Sequence, residues 1–222
     1  MAGGVTEPRR KVGVLISGRG SNLQALIDAA ADPAFPAEIA LVIANRPEAG
    51  GLERAAAAGI ATQVIPHGDY PDRESFDAAM TAALEAAGVE LVCLAGFMRL
   101  LSERFVGHWR DRMINIHPSL LPLLPGLETH ARALDLGLRL HGCSVHFVRA
   151  EMDSGPLIGQ AAVPVLADDD PESLAARVLE AEHKLYPACL KLVAEGRVTV
   201  EGERCNIVGG EPSSPELINP TA

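Results

Sequence analysis

Residues 12–22 read Val-Gly-Val-Leu-Ile-Ser-Gly-Arg-Gly-Ser-Asn, and a helical pattern, Leu-Gln-Ala-Leu-Ile-Asp-Ala-Ala, follows at 23–30. The continuous apolar run at 12–16 is typical of a buried parallel strand. A strand, a glycine-rich turn and a helix in this order leave free backbone amides at the helix N-terminus, where an anion can bind. The stretch therefore predicts the first strand and helix of an α/β fold.

The turn at 17–22 also discriminates between kinds of anion-binding loop. A dinucleotide fingerprint needs glycine or alanine at position 23, which is Leu23, and a Walker A loop needs lysine where Arg19 stands. A dinucleotide-binding loop and a Walker A loop are therefore both disfavoured, and a single phosphate is the anion that fits the turn. The alternative is a tight turn between strand and helix that needs two glycines for backbone reasons alone.

Strands and helices alternate along the rest of the chain. Further strands are predicted at 38–44, 62–65, 90–94, 112–116, 141–148, 157–165 and 198–200, and helices at 52–58, 73–87, 128–136 and 171–194. This order predicts an α/β fold with a Rossmann-like, mostly parallel sheet covered by helices on both faces. The strands at 141–148 and 157–165 are expected to be antiparallel neighbours, because a short polar loop joins them.

Composition limits the classes of partner. The chain has 222 residues, a net charge of −10 and no long basic run, which disfavours binding to nucleic acid or to an anionic membrane. Its four cysteines form no CxxC pair, so reduced thiols are expected rather than disulfides, and no metal site is predicted. No apolar stretch reaches the length of a membrane span, and we expect a cytoplasmic protein.

Residues 115–122, Asn-Ile-His-Pro-Ser-Leu-Leu-Pro, hold the first candidate catalytic groups. Asn115 and His117 point to the same side of an extended chain, and Pro118 biases His117 away from helical angles. An amide and an imidazole at the end of a strand lie where open α/β sheets bind ligands. The alternative is a strand end with a capping Asn and a surface His.

Asp153, in a polar loop after the strand at 141–148, completes the candidate set. A carboxylate beside an imidazole favours the charged ring and fixes its tautomer. Asn115, His117 and Asp153 together suit an oxyanion that forms when a nucleophile attacks a carbonyl. No Ser or Cys is placed as a nucleophile, so the substrate or water should attack directly. The alternative for Asp153 is a carboxylate that caps its own loop.

Several motifs resemble one family strongly over about residues 11–200. They are Leu-Ile-Ser-Gly-Arg-Gly-Ser-Asn-Leu-Gln at 15–24, Leu-Ala-Gly-Phe-Met-Arg at 94–99, the stretch at 115–122, Ser-Val-His-Phe-Val at 144–148 and Ala-Glu-His-Lys at 181–184. They resemble the phosphoribosylglycinamide formyltransferases. The resemblance implies transfer of a formyl group from the cosubstrate 10-formyltetrahydrofolate to the amine of glycinamide ribonucleotide, in purine synthesis.

The resemblance also implies an architecture. It predicts a seven-stranded formyltransferase domain at 11–206, with a nucleotide-binding half at about 11–110 and a folate-binding and catalytic half at about 111–206. Residues 1–10 are expected to be a flexible leader and residues 207–222 a disordered tail. The enzyme is expected to be a monomer or a homodimer.

The resemblance also implies roles for individual residues that match the motifs of the family. Catalysis is assigned to Asn115, His117 and Asp153, ribonucleotide binding to Gly20, Ser21, Asn22 and Glu182, and folate binding to Arg73, Met98, Arg99, Leu100, Leu101, Asn115 and the loop at 149–153. Two positions depart from the family. Leu179 replaces a polar residue near the phosphate, and Leu123 with Leu124 replaces a pair that usually includes a polar or basic side chain.

The remaining histidines and the rival functions stay open at this point. His146 is expected either to face the site or to be a satisfied core histidine, whereas His130 and His141 are expected at the surface or in loops. The rival activities are a formyltetrahydrofolate deformylase, in which water replaces the amine, and a tRNA formyltransferase. A non-catalytic mononucleotide-binding module would explain residues 12–30 but not the candidate catalytic groups.

Overall fold

A computed structural model describes residues 8–209 and residue 219. The strands are β1 Arg10–Ile16, β2 Ala37–Ala44, β3 Thr62–Val64, β4 Leu91–Leu94, β5 Met113–His117, β6 Leu140–Phe147, β7 Leu157–Pro164, β8 Val198–Glu201 and β9 Arg204–Ile207. The α-helices are α1 Ser21–Ala30, α2 Gly51–Ala57, α3 Arg73–Ala86, α4 Glu103–His108, α5 Thr129–Asp135 and α6 Pro171–Ala194.

The main sheet has seven strands in the order β3-β2-β1-β4-β5-β6-β7. The strands from β3 to β5 pair in parallel, whereas β6 is antiparallel to both β5 and β7. The chain reverses its direction of travel across the sheet at β1, so the carboxyl ends of β1, β4 and β5 lie side by side at one edge. This is the position where ligands bind in open α/β sheets.

Hydrophobic layers cover both faces of the sheet. Alternate residues of a strand point to opposite faces, so Val14 packs in one layer with α1 and α6, while Leu15 packs in the other with α3 and α4. Both strand residues are fully buried. The predicted α/β class and the seven-stranded, mostly parallel sheet are therefore confirmed, and so is the antiparallel pairing of β6 with β7.

Three details differ from the sequence-based expectations. The short helix α4 and the strand β9, which pairs with β8, were not predicted. Ile207 belongs to β9, so a disordered tail does not begin at residue 207. Most of the expected leader and tail, at 1–7, 210–218 and 220–222, lies outside the described residues, and the division into two halves stays a prediction. Within the described part, no helix combines the length and apolar character that crossing a bilayer requires.

Candidate active site

The end of β5 brings His117 against two acceptors. Its Nδ1 lies 3.3 Å from Asp153 Oδ1, and its Nε2 lies 3.1 Å from the carbonyl oxygen of Leu124. Because a carbonyl oxygen only accepts, Nε2 must carry a proton. The other ring nitrogen, Nδ1, faces the Asp153 carboxyl, and both side chains are largely buried. The imidazole and the carboxyl therefore form a close pair at the end of β5.

Asp153 is held in place by more than His117. Its Oδ2 accepts a hydrogen bond of 2.7 Å from the backbone amide of Gly126, in the proline-rich loop that follows β5. Its φ of 50° lies in the left-handed region, which Asp and Asn tolerate better than most residues. Asp153 thus bonds the backbone of a different loop rather than capping its own, and it also lies against the imidazole.

Asn115 is oriented by a histidine of the neighbouring strand. The antiparallel register places Asn115 opposite His146, and Asn115 Nδ2 lies 3.2 Å from His146 Nε2. The other ring nitrogen of His146 donates to the carbonyl of Phe147 at 3.0 Å, so Nε2 is free to accept. Burial lowers the pKa of His146, which keeps this ring neutral. His146 is therefore a buried, satisfied histidine that also fixes the amide of Asn115.

The predicted ribonucleotide residues meet at the start of α1. Gly20 is the N-cap of α1 with φ 72°, and it makes no side-chain cap. A Cβ at this position would lie 2.5 Å from the Cα of Gly51, so only glycine fits the turn. Asn22, in the first turn, donates to Glu182 Oε2 at 2.6 Å. Burial raises the pKa of Glu182, and this hydrogen bond offsets part of the effect.

The predicted folate residues lie along one rim. Arg73 is the first residue of α3 and is exposed. Met98, Arg99 and Leu100 are exposed in the irregular stretch after β4, and Leu101 is half-buried against the hydrophobic layer of α3 and α4. Burial raises the pKa of the nearby Asp77 carboxyl, and hydrogen bonds from Ser102 and the charges of Arg73 and Arg99 offset part of this rise.

Two further histidines lie close to His117. His141 is 1% exposed in β6, so its expected surface or loop position is wrong. It is buried because β6 is covered on both faces. Its ring centroid is 5.2 Å from that of His130 in α5, and burial together with the charges of His130 and His117 lowers its pKa to about 4.

Sequence reasoning missed three groups of this site. The carbonyl of Leu124 and the amide of Gly126 are backbone atoms, so no residue type marks them. The contact of His146 with Asn115 depends on the register of β5 with β6, and only the alternation in residues 141–148 hinted at it. Within residues 8–209 and residue 219, no group of three or more His, Cys, Asp or Glu side chains is arranged to hold a metal ion.

Comparison with known proteins identifies the family. The family model for formyl transferase matches residues 10–190. The chain belongs to the formyl transferase family. Phosphoribosylglycinamide formyltransferase of Escherichia coli is 48% identical over 185 residues, which cover 83% of this chain and 87% of that enzyme. The predicted resemblance to phosphoribosylglycinamide formyltransferases is confirmed.

A longer relative and two solved structures also match this formyl transferase domain. The trifunctional purine biosynthetic protein adenosine-3 of Drosophila pseudoobscura pseudoobscura is 54% identical over 194 residues, but the chain covers only 14% of it. Glycinamide ribonucleotide transformylase 1 of Symbiobacterium toebii superposes with a TM-score of 0.89 at 48% identity, covering 91% of this chain and 96% of that one. A formyltetrahydrofolate deformylase of Pseudomonas syringae has a TM-score of 0.84 at 25% identity, and 66% of it is covered.

Proposed function

We propose that the chain transfers the formyl group of 10-formyltetrahydrofolate to the amine of glycinamide ribonucleotide, a step of purine synthesis. The observation that carries the proposal is the position of His117, whose ring nitrogens face the Asp153 carboxylate and a carbonyl at the end of β5, with Asn115 two residues away. This group offers donors for an oxyanion and a carboxylate for proton transfer.

The amine of the ribonucleotide attacks the formyl carbon directly. A free α-amino group has a pKa of about 8 and is partly neutral near neutral pH, so it needs no strong base. The barrier lies in the tetrahedral oxyanion and in proton delivery to the departing folate nitrogen. Asn115 and the His117 imidazolium stabilise the oxyanion, while Asp153 sustains the charge of the ring and relays protons.

The proton on His117 Nε2 already has an acceptor, the Leu124 carbonyl. An oxyanion that accepts this hydrogen bond takes the place of the Leu124 carbonyl as the partner of Nε2. Asn115 has one amide proton on His146 and a second available to the same oxyanion. The site therefore offers two donors of different charge to one developing negative charge.

The ribonucleotide is assigned to the start of α1. The amides of Gly20, Ser21 and Asn22 have no side-chain cap to compete for them, and the positive end of the helix dipole favours a phosphate. Glu182, hydrogen-bonded to Asn22, is the carboxylate for the polar part of this substrate. The folate is assigned to Arg73, residues 98–101 and the loop at 149–153, on the rim beside the catalytic group.

We further propose that the enzyme works in the cytoplasm on these two small molecules, without nucleic acid, membrane or metal, as a monomer or a homodimer. The net charge of −10 supports small ligands bound at one local site, rather than a large anionic partner bound through a wide basic surface.

The experiment that tests the function is a formyl-transfer assay with 10-formyltetrahydrofolate, run with and without glycinamide ribonucleotide. We expect tetrahydrofolate to appear only when the ribonucleotide is present, together with one formylated ribonucleotide per folate. The structural match to a deformylase makes water the competing acceptor. Folate deformylation at an equal rate without ribonucleotide would establish hydrolysis instead and overturn the proposal.

A further inference from the structure

The chain between β4 and α4 has little backbone support. We call residues 97–102 the folate segment, since it carries Met98 to Leu101. Met98 and Leu100 are 65% and 58% exposed. Among the residues that the structure describes, none of 97–101 takes part in a backbone-to-backbone hydrogen bond. A ligand-binding segment of this kind needs anchors from elsewhere to keep one conformation.

Ser17 anchors the first end of the folate segment. The backbone amide of Met98 donates to Ser17 Oγ at 2.8 Å, and Ser17 is 8% exposed. Ser17 directly follows β1 and opens the glycine-rich turn, and its own amide donates to the carbonyl of Gly96 at 3.2 Å. The hydroxyl thus fixes the point at which the segment leaves the sheet edge.

Asp77 anchors the other end. It lies in α3 and is 2% exposed, and its Oδ2 accepts a 2.6 Å hydrogen bond from the amide of Ser102. Its Oδ1 has no hydrogen-bond partner in the described structure. Burying a carboxylate that is only half satisfied costs free energy. The buried position of the Asp77 carboxylate is therefore better explained by its hydrogen bond to the Ser102 backbone than by a packing role.

Ser102 extends this anchor into α4. Its side chain is the N-cap of that helix and accepts from the amide of Phe105 at 3.2 Å. Ser102 is thus held by Asp77 through its backbone amide, and it caps α4 through its side chain. The two anchors, Ser17 and Asp77, lie in different elements and are 60 residues apart in the sequence.

We propose that Ser17 and Asp77 are positioning residues that hold the two ends of the folate segment in the conformation that binds the formyl donor, an inference that rests on the proposed function. Neither side chain belongs to the predicted catalytic or ligand-contacting set. Their removal therefore acts on the folate through the segment and leaves the ribonucleotide site at the start of α1 intact.

The kinetic test uses Asp77→Ala, Asp77→Asn and Glu85→Ala. Asp77→Ala removes the acceptor, and we expect KM for 10-formyltetrahydrofolate to rise about tenfold, the effect of one hydrogen bond to a charged group. KM for the ribonucleotide should stay within about twofold. Asp77→Asn keeps an oxygen for the Ser102 amide and should restore most of the folate affinity. Glu85→Ala is the matched control, because Glu85 contacts His108 of α4 at 3.0 Å but not the segment.

Hydrogen exchange tests the anchors without turnover. We expect Ser17→Ala to speed exchange of the Met98 amide and Asp77→Ala to speed that of the Ser102 amide, each with little effect on the other end. Ser17→Ala should raise the folate KM about fivefold, because a neutral hydrogen bond contributes less. Tetrahydrofolate affinity from calorimetry should weaken in parallel in both variants.

The outcomes separate this inference from the proposed function. If wild-type enzyme formylates the ribonucleotide but a folded Asp77→Ala variant keeps its folate KM, the positioning role is overturned and the function stands. An equal rise of both KM values would also overturn it, since that marks general destabilisation. If the wild type transfers no formyl group to the ribonucleotide, the proposed function fails, while calorimetry and exchange still decide whether the anchors control folate binding.

Discussion

Replacing Asp153 by Asn tests the charge at the catalytic group while keeping its shape. Asn tolerates the φ of 50° at this position, and its side-chain oxygen can still accept from the amide of Gly126. Its NH2 group then faces His117 Nδ1, which must become an acceptor. The variant should therefore hold His117 as a neutral ring with its single proton on Nε2.

The size of the effect follows from the geometry. Two unit charges 3.3 Å apart attract each other by about 5 kcal/mol at an effective dielectric constant of about 20, before desolvation is subtracted. A hundredfold loss of kcat needs only about 2.7 kcal/mol. We therefore expect kcat to fall at least about 10²-fold, with the ribonucleotide KM nearly unchanged because Asp153 acts on the transition state.

The assay combines steady-state kinetics with nitrogen-edited NMR of the imidazole. The wild-type His117 ring should show two protonated nitrogens, and the Asp153→Asn ring only one. Asp135→Asn, the same change at the exposed end of α5, is the matched control and should leave kcat unchanged. A folded Asp153→Asn enzyme that retains most of its kcat would refute the role of this carboxylate.

Three further predictions concern binding and stability. Leu179→Lys adds a charge to a half-buried position of α6; a contact worth about 1.5–3 kcal/mol if well formed should lower the ribonucleotide KM without changing kcat. An unchanged KM in a variant with wild-type Tm would show that residue 179 lies away from the phosphate. Gly20→Ala should abolish ribonucleotide binding or folding, because the new methyl meets Gly51, whereas Gly59→Ala, with open space around it, is the control for positive φ; near-normal binding by the Gly20 variant would contradict the tight turn. The pKa of His141 is lowered to about 4, so the unfolded chain takes up a proton that the fold resists. The neutral His141 ring therefore contributes fully to the free energy of unfolding above about pH 6.5, and this contribution is lost as the pH falls towards 4. Each unit of pKa difference between the folded and unfolded chain is worth about 1.4 kcal/mol. Urea unfolding at pH 7.5, 6 and 5 should show a shallower decline for His141→Gln than for wild type, and parallel declines would refute this account.

The regular elements could be predicted because their signals are local. The unit at 12–30 combines an apolar run, a glycine turn and a helical period, and all three are properties of neighbouring residues. The long helix at 171–194 was predicted with its observed ends, because Asp170 and Pro171 mark its start. In contrast, α4 has six residues, too few for a helical period to be recognised.

The candidate site could be predicted only as residue types. The sequence indicates that Asn115, His117 and Asp153 carry suitable groups, but their contacts depend on strand register and on backbone atoms of distant loops. Asp77 shows this limit most clearly. In the sequence it is one more acidic residue of an amphipathic helix, and its bond to the amide of Ser102 follows from the packing of α3 against α4. Long-range packing, rather than residue type, gives such a group its contacts.

The hydrogen bond between Asn22 and Glu182 joins residues 160 positions apart in the chain. During synthesis, the strands β1 to β4 and the helix α1 emerge from the ribosome long before α6 does. The apolar side of α1, formed by Leu23, Leu26 and Ile27, packs in the layer that α6 completes. Until α6 is made, the nascent chain exposes this surface and lacks Glu182, one of the residues assigned to ribonucleotide binding. The layer that holds α1 can therefore close only after α6 has been made, and until then its exposed apolar side chains offer a binding surface to chaperones.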